Sequence, residues 1–381
     1  VRFVDYMRVG IQFSRGCPFN CEFCDIIELF GRRPRTKPPK RIVAELQALY
    51  DLGYRGHVDF VDDNFVGNKA KCIEVLQAVG EWSKRHNYPF YFSTEASINL
   101  AQEPELLQLM RAADFRYVFV GIESPDEDAL IETHKLQNRR VSVVDAVRTL
   151  ASHGMIVNGG FILGFDSETE HTAGSMIGLI QDAAISSALV SKLAALPNTQ
   201  LSRRLNQEGR LFAGGRMTVS DTEVDIDNTT SGLNFVTSRP RADVLRDQAQ
   251  VLRTVYDPVH YYDRVLRTAL QLAPNLRYRP GFVRALKMAW TFVKVSVKAG
   301  FNLRTGPLYW KTLFTVLAAN PQAAEAAISM AALYIHFDAQ SEYVRERLQR
   351  EIAEIAERGE RDYYAQMLAA GPLEVDPPQP A

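Results

Sequence analysis

The first half of the chain repeats one pattern six times: a short run of β-forming residues is followed by a stretch with helical periodicity. Strands in such a series are predicted to be parallel, because each helix returns the chain across the sheet in a right-handed crossover. The pattern is typical of a partial or closed barrel and of an open doubly wound sheet. In all of these, ligands bind at the carboxyl ends of the strands. The predicted strands comprise residues 9–13, 58–61, 90–92, 117–120, 160–163 and 188–190.

The chain is too long, at 381 residues, for one domain of average size. Its content of 46% hydrophobic and 23% charged residues excludes a largely disordered protein. The pattern changes after Pro197, first to polar, turn-rich sequence and then to almost continuous helical periodicity. We predict a core domain over 1–200, an irregular linker over 201–240, a helical C-terminal domain over 241–370 and a disordered, proline-rich tail over 371–381.

The charge of the chain is nearly balanced, with 44 basic and 45 acidic residues and a formal net charge of -1. A nucleic-acid-binding protein usually carries a basic excess, so we predict no nucleic-acid partner. The sequence shows neither a signal peptide nor an apolar run long enough to span a bilayer, and the cytoplasm is the predicted location. Because the chain begins with Val1 rather than Met, we predict that an upstream segment has been removed.

Three of the four cysteines, Cys17, Cys21 and Cys24, fall within eight residues directly after the first predicted strand. Thiolate ligands select zinc, copper(I) or iron–sulfur clusters. A structural zinc site usually takes four ligands in two separated pairs, and this sequence offers no second pair. Cys72 lies in a helical stretch with an apolar face and is predicted to be a buried core residue. Three ligands on a [4Fe–4S] cluster would leave one iron open, as catalysis at the cluster requires.

The spacing C-x3-C-x2-C, with Phe23 before the last cysteine, resembles the signature of the radical S-adenosylmethionine (SAM) superfamily. The resemblance implies a partial (β/α)6 TIM-like barrel, followed here by an α-helical C-terminal domain. It also implies a [4Fe–4S] cluster on Cys17, Cys21 and Cys24 whose open iron binds SAM. One-electron reduction by a donor such as flavodoxin or ferredoxin would then cleave SAM to a 5′-deoxyadenosyl radical.

The resemblance further implies a polar cluster after the second strand that holds the amine of SAM. Asp62, Asp63 and Asn64 occupy that place, although the two carboxylates could instead cap the helix that follows. Glu123 ends the fourth strand and is predicted to meet a ribose hydroxyl or the amine of SAM. The alternative for Glu123 is a buried salt bridge to a lysine or arginine.

The fifth strand is rich in glycine, and it resembles the segment of the superfamily whose backbone borders the adenine of SAM. Gly160 and Gly164 are therefore predicted to bind the cofactor, because a residue without Cβ lets a flat ring approach the main chain. Phe23, beside the last cysteine, is included among the predicted cofactor-binding residues.

A narrower resemblance covers residues 11–26, 30–37, 62–65 and 256–262. These segments are similar to the cobalamin-dependent radical SAM group that contains the hopanoid C-2 methylases. The resemblance implies cobalamin as a further cofactor, methylation of an unactivated carbon, and a lipid or other small-molecule substrate. That group places its cobalamin-binding domain before the barrel, and no such domain is recognisable in this sequence.

Two other functions stay open at the level of sequence. A radical SAM enzyme with the same cluster could catalyse oxidative cyclisation or rearrangement without methyl transfer. A non-catalytic protein could use the thiolates to hold zinc.

Residues 282–301 form a candidate amphipathic helix. Its basic residues are Arg284, Lys287, Lys294 and Lys298, and its apolar face carries Leu286, Trp290, Val293 and Val297. Such a face most often packs on a protein core, and we predict that arrangement here. The alternative is contact with an anionic membrane surface, which would place the protein peripherally at the inner face of the membrane.

Overall fold

The structure, a computed structural model, describes residues 6–213 and 229–369. The chain start at Val1, residues 214–228 of the predicted linker and the predicted tail at 371–381 lie outside the described residues.

Six parallel strands form the main sheet, in which the strands follow one another in chain order. The two strands at the edges are not paired with each other in the described sheet, so it forms a partial barrel. Each strand contains one of the six predicted apolar runs or overlaps it, and the predicted fold class is confirmed. The strands are β1 (Arg8–Ile11), β4 (Gly56–Phe60), β5 (Phe90–Glu95), β6 (Phe115–Glu123), β7 (Ile156–Leu163) and β8 (Ser187–Lys192), and a separate antiparallel pair joins β2 (Ser14–Arg15) to β3 (Arg35–Thr36).

Alternation along the strands separates an outer, helix-covered face of the sheet from an inner face. On β4, Val58 and Phe60 are fully buried, whereas His57 and Asp59 lie half-buried on the opposite face. The covering helices have buried residues at helical spacing, such as Ile42, Leu46 and Leu49 on the helix Pro39–Asp51. These helices are α1 (Ile26–Phe30), α2 (Pro39–Asp51), α3 (Lys69–Arg85), α4 (Pro104–Ala113), α5 (Glu127–Glu132), α6 (Val143–Ser152) and α7 (Thr172–Asp182).

The remaining helices form the C-terminal part of the described chain. They are α8 (Gln200–Gln207), α9 (Arg241–Val255), α10 (Pro258–Gln271), α11 (Phe282–Gly300), α12 (Gly306–Ala319), α13 (Ala324–Arg358) and α14 (Glu360–Ala369). Residues 201–207 thus belong to a helix, whereas the sequence predicted an irregular segment there. The local cause is the Thr199 side chain, which accepts a hydrogen bond from Ser202 N and caps α8.

Buried polar side chains attach the C-terminal helices to the last βα unit. Arg264 is completely buried, and it donates to the Ile185 carbonyl at 2.8 Å and to the Val255 carbonyl at 2.6 Å. Tyr256 donates to the Ala188 carbonyl at 2.6 Å. Because a buried guanidinium must have its hydrogen bonds satisfied, these contacts fix α9 and α10 against β8.

Helix α11 contradicts the prediction of a core-packed apolar face. Leu286, Trp290, Val293 and Val297 are exposed, and the residues that the helix buries are Val295, Ser296 and Ala299. The hydrophobic pattern identified the helix correctly, but it carried no information on which face the neighbouring helices would cover. Among the described residues, no helix is both long and apolar enough to cross a membrane.

Candidate active site

The loop between β2 and α1 carries Cys17, Cys21 and Cys24, which the structure brings together as free thiols. Cys21 is buried, and the other two are half-buried. Burial raises the pKa of Cys24 to about 11, with the nearby Cys21 and Cys17 adding to the effect. Burial also raises the pKa of Cys21, which the positive charge of Lys135 opposes. The three thiols therefore influence one another electrostatically, and Cys21 and Cys24 share Lys135 as a cationic neighbour.

The donor set fits an iron–sulfur cluster better than structural zinc, because it provides three soft ligands and no fourth. Cys72 is fully buried in α3, as predicted for a core residue. Across residues 6–213 and 229–369, no three Cys, His, Asp or Glu side chains already form a metal-binding group. The thiols would therefore complete their arrangement as the cluster binds.

Gly16 lets the cysteine loop lie against the segment before β3. Its φ of 96° is in the left-handed region, and a Cβ there would stand 2.8 Å from the carbonyl oxygen of Gly31. The Cys17 amide donates to the same oxygen at 3.4 Å. A side chain at position 16 would therefore displace the first cysteine.

Asp62 follows β4 and contacts the residues that lead into the cysteine loop, and it is only 1% exposed. Its carboxylate accepts hydrogen bonds from Phe13 N at 3.0 Å, from Ser14 Oγ at 2.6 Å and from Ser14 N. Burial raises the pKa of Asp62 to about 6, and these donors lower it. With both oxygens engaged by the chain, Asp62 holds the backbone that leads into the loop.

Asp63 has a similar contact and accepts from Gly16 N at 3.2 Å. Neither carboxylate caps the following helix, because the N-cap of α3 is Asn68. Asn64 bridges two strand ends: its amide nitrogen lies 3.7 Å from Cys17 Sγ, and its Oδ1 accepts from Ser97 N at 3.2 Å. The polar residues predicted after the second strand of the main sheet thus contact the start of the cysteine loop, through the backbone of residues 13–16 and the Cys17 sulfur.

Glu123 forms a buried ion pair with Lys135. This is the arrangement that the sequence left as the alternative to contact with SAM. Lys135 Nζ also lies 5.8 Å from the centroid of the Phe23 ring. The nearby carboxylate of Glu123 and the thiols Cys21 and Cys24 raise the pKa of Lys135, against the effect of its burial. Sequence reasoning missed Lys135, because it follows a short helix without any spacing that would link it to the cysteines.

The predicted glycines lie on β7 and directly after it. A Cβ on Gly160 would stand 2.8 Å from the Phe119 ring, so this glycine borders an aromatic side chain of the neighbouring strand. Gly164 has a φ of 111°, and its missing side chain would meet Leu233. The Phe23 ring lies 6.1 Å from that of Phe165. Phe23 and Phe165 therefore connect the cysteine loop to the end of β7.

A network of ion pairs makes a second connection between the cysteine loop and the end of β7. Arg204 on α8 binds Glu22 in the cysteine loop at 2.7 Å and Asp166 after β7 at 3.0 Å. Arg210 also binds Asp166. The pKa of Asp166 is lowered well below its usual range by these arginines and Ser238, although burial opposes the change. Nothing in the local sequence indicated these pairs, which join residues far apart in the chain.

The inner face of the sheet carries a polar group on β4 and β5. His57 Nε2 lies 2.7 Å from Ser93 Oγ, which also donates to Asp59. Burial lowers the pKa of His57 to about 4, so its ring is neutral at pH 7. The His57 ring stacks on Tyr91 with a centroid distance of 5.0 Å. His57 thus contributes a neutral hydrogen-bonding ring to this group, in which Asp59 also pairs with Arg8 at 3.5 Å.

Because the buried carboxyl of Glu168 has a raised pKa, the stability of the protein is expected to depend on pH. Burial raises the pKa of its carboxyl from 4.5 to about 8, although hydrogen bonds from the Gly164 and Phe165 amides oppose the shift. The folded chain thus binds the proton more tightly, and the resulting stability is present below pH 4.5 and lost as pH rises through 8. Ionisation of Glu168 should lower the free energy of unfolding by about 2–4 kcal/mol between pH 5 and 8. We expect Glu168→Gln, which cannot ionise, to lack this decrease. Melting temperatures of the wild type and the variant, measured between pH 5 and 8, test this expectation. Profiles of the two proteins that run parallel across this range would contradict it.

Two family profiles match the chain. A profile of the radical SAM superfamily matches residues 11–180. A second profile, described as a domain of unknown function (DUF4070), matches residues 199–350.

Relatives with curated names are similar over most of the chain. An uncharacterized methyltransferase of Synechocystis sp. is 38% identical over 94% of this chain and 65% of its own length. The hopanoid C-2 methylase of Rhodopseudomonas palustris is 35% identical over 80% of this chain and 56% of its own length. This chain therefore spans less than two thirds of the length of either relative.

A solved structure shares the fold. It is the radical SAM methyltransferase TsrM from Kitasatospora setae with cobalamin and a [4Fe–4S] cluster bound. It superposes with a TM-score of 0.53 at 15% identity, over 77% of this chain and 61% of that one.

Proposed function

The chain belongs to the radical SAM superfamily, and on that premise we propose that it binds a [4Fe–4S] cluster through Cys17, Cys21 and Cys24. When bound, this cluster would supply the electron that cleaves SAM, and the resulting 5′-deoxyadenosyl radical would take hydrogen from an unactivated carbon. The observation that carries the proposal is a loop of three thiols whose leading backbone is hydrogen-bonded to the Asp62 and Asp63 carboxylates.

The residues around the loop have distinct proposed roles. Asp62 and Asp63 fix the loop backbone, and Asn64 orients Cys17 through its contact with the sulfur. Lys135, neutralised in part by Glu123, places a positive charge beside the thiolates and favours their ionised form. SAM would then lie between the loop and the β7 segment that contains Gly160 and Gly164, with Phe23 at its edge.

We further propose that the whole protein methylates its substrate and uses cobalamin for this step. The support is the methyltransferase and hopanoid C-2 methylase names of relatives at 38% and 35% identity. A lipid-like substrate is proposed on the second of these names. We also propose that a protein such as flavodoxin or ferredoxin donates the electron. The whole protein would contact the cytoplasmic face of a membrane peripherally.

The test uses the full-length gene product, purified without oxygen and assayed with a chemical reductant. We expect bound iron and sulfide, and formation of 5′-deoxyadenosine from SAM. Co-purified cobalamin together with S-adenosylhomocysteine would support methylation. Formation of 5′-deoxyadenosine without either would contradict methylation and favour cyclisation or rearrangement. Stoichiometric zinc without sulfide would overturn the proposal of radical chemistry.

A further inference from the structure

Within residues 6–213 and 229–369, helix α11 packs on the protein along one side. Ser296 Oγ and the Tyr309 hydroxyl of α12 lie 2.7 Å apart and are both buried. Near its start, Arg284 donates to the Arg55 carbonyl and lies 5.8 Å from the centre of the Tyr278 ring. These contacts hold the helix in one orientation, so its outward face is determined by the fold.

The outward face of α11 is apolar. At 3.6 residues per turn its members fall within an arc of about 100°. Trp290, at the middle of the helix, is 60% exposed, and Phe282, at its start, is 78% exposed. We define the α11 face as the exposed side chains of Phe282, Val283, Leu286, Trp290, Val293 and Val297.

Further exposed apolar side chains continue from the end of this helix. Phe301 and Leu303 follow on the turn, and Leu303 is 97% exposed. On α12, Trp310 donates to the Gly300 carbonyl at 3.0 Å and stacks on the exposed Phe314. The exposed apolar surface is therefore larger than one helix face, and surfaces of this kind mark interaction sites.

Within residues 282–320, the charge beside the α11 face has a single sign. Lys287, Lys294 and Lys298 project along one edge of the face, within an arc of about 40°. Residues 282–320 contain six basic side chains and neither Asp nor Glu. Lys294 Nζ lies 5.5 Å from the centroid of the Trp290 ring, and such an amphipathic pair is typical of a membrane interface.

We propose that the α11 face lies in the headgroup region of an anionic lipid membrane, with its lysines on the lipid phosphates. Charge complementarity favours lipid over a second copy of this chain, since two such faces brought together would oppose their lysines. The inference deepens the proposed function, because it names the surface that would bring the enzyme to a lipid substrate, and it rests on that proposal.

Vesicle binding by the full chain tests the inference. We expect co-sedimentation with mixed phosphatidylglycerol and phosphatidylcholine vesicles, a blue shift of Trp290 emission, and much weaker binding to phosphatidylcholine alone. Leu286→Asp should weaken binding at least about tenfold, because a carboxylate would have to enter the interface. Val259→Asp is the matched control: Val259 is 60% exposed on α10 and should leave binding unchanged.

The charge component has its own variant. Replacing Lys287, Lys294 and Lys298 together by glutamine should reduce the preference for anionic vesicles and the sensitivity of binding to salt. Trp290→Phe should reduce the emission shift but preserve sedimentation with vesicles, since Trp310 on the adjoining surface also contributes to the emission.

Two results would overturn the inference: no binding to anionic vesicles, or a dimer in analytical ultracentrifugation that Leu286→Asp converts to a monomer without vesicle binding. Neither readout requires the cluster or SAM. Failure of vesicle binding with normal 5′-deoxyadenosine formation would therefore refute the membrane face alone. Vesicle binding without SAM cleavage would refute the proposed function alone.

Discussion

Replacement of Cys17, Cys21 or Cys24 by alanine is expected to remove the iron–sulfur cluster and to reduce SAM cleavage to background. Each substitution leaves two thiol ligands on a loop that provides no further thiol. Two ligands cannot hold a cubane cluster against loss to solvent, because cluster binding has to organise the loop as well. We expect a fall in activity of at least about a thousandfold, corresponding to about 4 kcal/mol.

Cys72→Ala provides the control within the same chain. Cys72 is fully buried in α3, so its replacement should lower stability by about 1 kcal/mol or slightly more while iron and sulfide content stay unchanged. Iron, sulfide and 5′-deoxyadenosine are measured on all four variants after anaerobic purification. Retention of a full cluster in any one of the three loop variants would contradict the ligand set.

The architecture of the core could be predicted from the sequence because each βα unit is specified locally. The apolar runs, the helical periodicity and the polar residues at strand ends are all contiguous patterns, and the run predicted at residues 160–163 lies within β7 (Ile156–Leu163). The cysteine loop could be found for the same reason. Three ligands within eight residues form a local pattern.

The contacts of the site side chains could not be predicted, because they depend on distant parts of the chain. Asp62 receives its hydrogen bonds from residues 48 and 49 positions earlier, and no local pattern distinguishes a carboxylate that binds backbone amides from one that binds an amine. Similarly, Lys135 becomes a neighbour of Cys21 only through the path of β6 and α5. The amphipathic pattern of α11 specified a face but not whether protein or solvent would meet it.

Asp62→Asn is expected to destabilise the protein and to impair cluster loading, because Asp62 acts on the loop backbone. The carboxylate accepts three hydrogen bonds, two of them from the amides of Phe13 and Ser14. A carboxamide has a single acceptor oxygen, and its NH2 group would face at least one buried donor. We expect a loss of about 3 kcal/mol and, because metal binding is coupled to folding of the loop, iron occupancy below about half of the wild-type value.

Asp63→Asn is the matched comparison, since Asp63 makes one hydrogen bond of 3.2 Å to Gly16 N. Its loss should be about 1 kcal/mol or less, with the cluster retained. Thermal melting and iron content of the two variants distinguish a positioning role for Asp62 from direct contact with SAM. A direct SAM ligand would show normal melting and iron content and an increased KM for SAM. The full enclosure of Asp62 leads us to expect the opposite pattern, in which melting temperature and iron content fall together and the KM of the loaded fraction is unchanged.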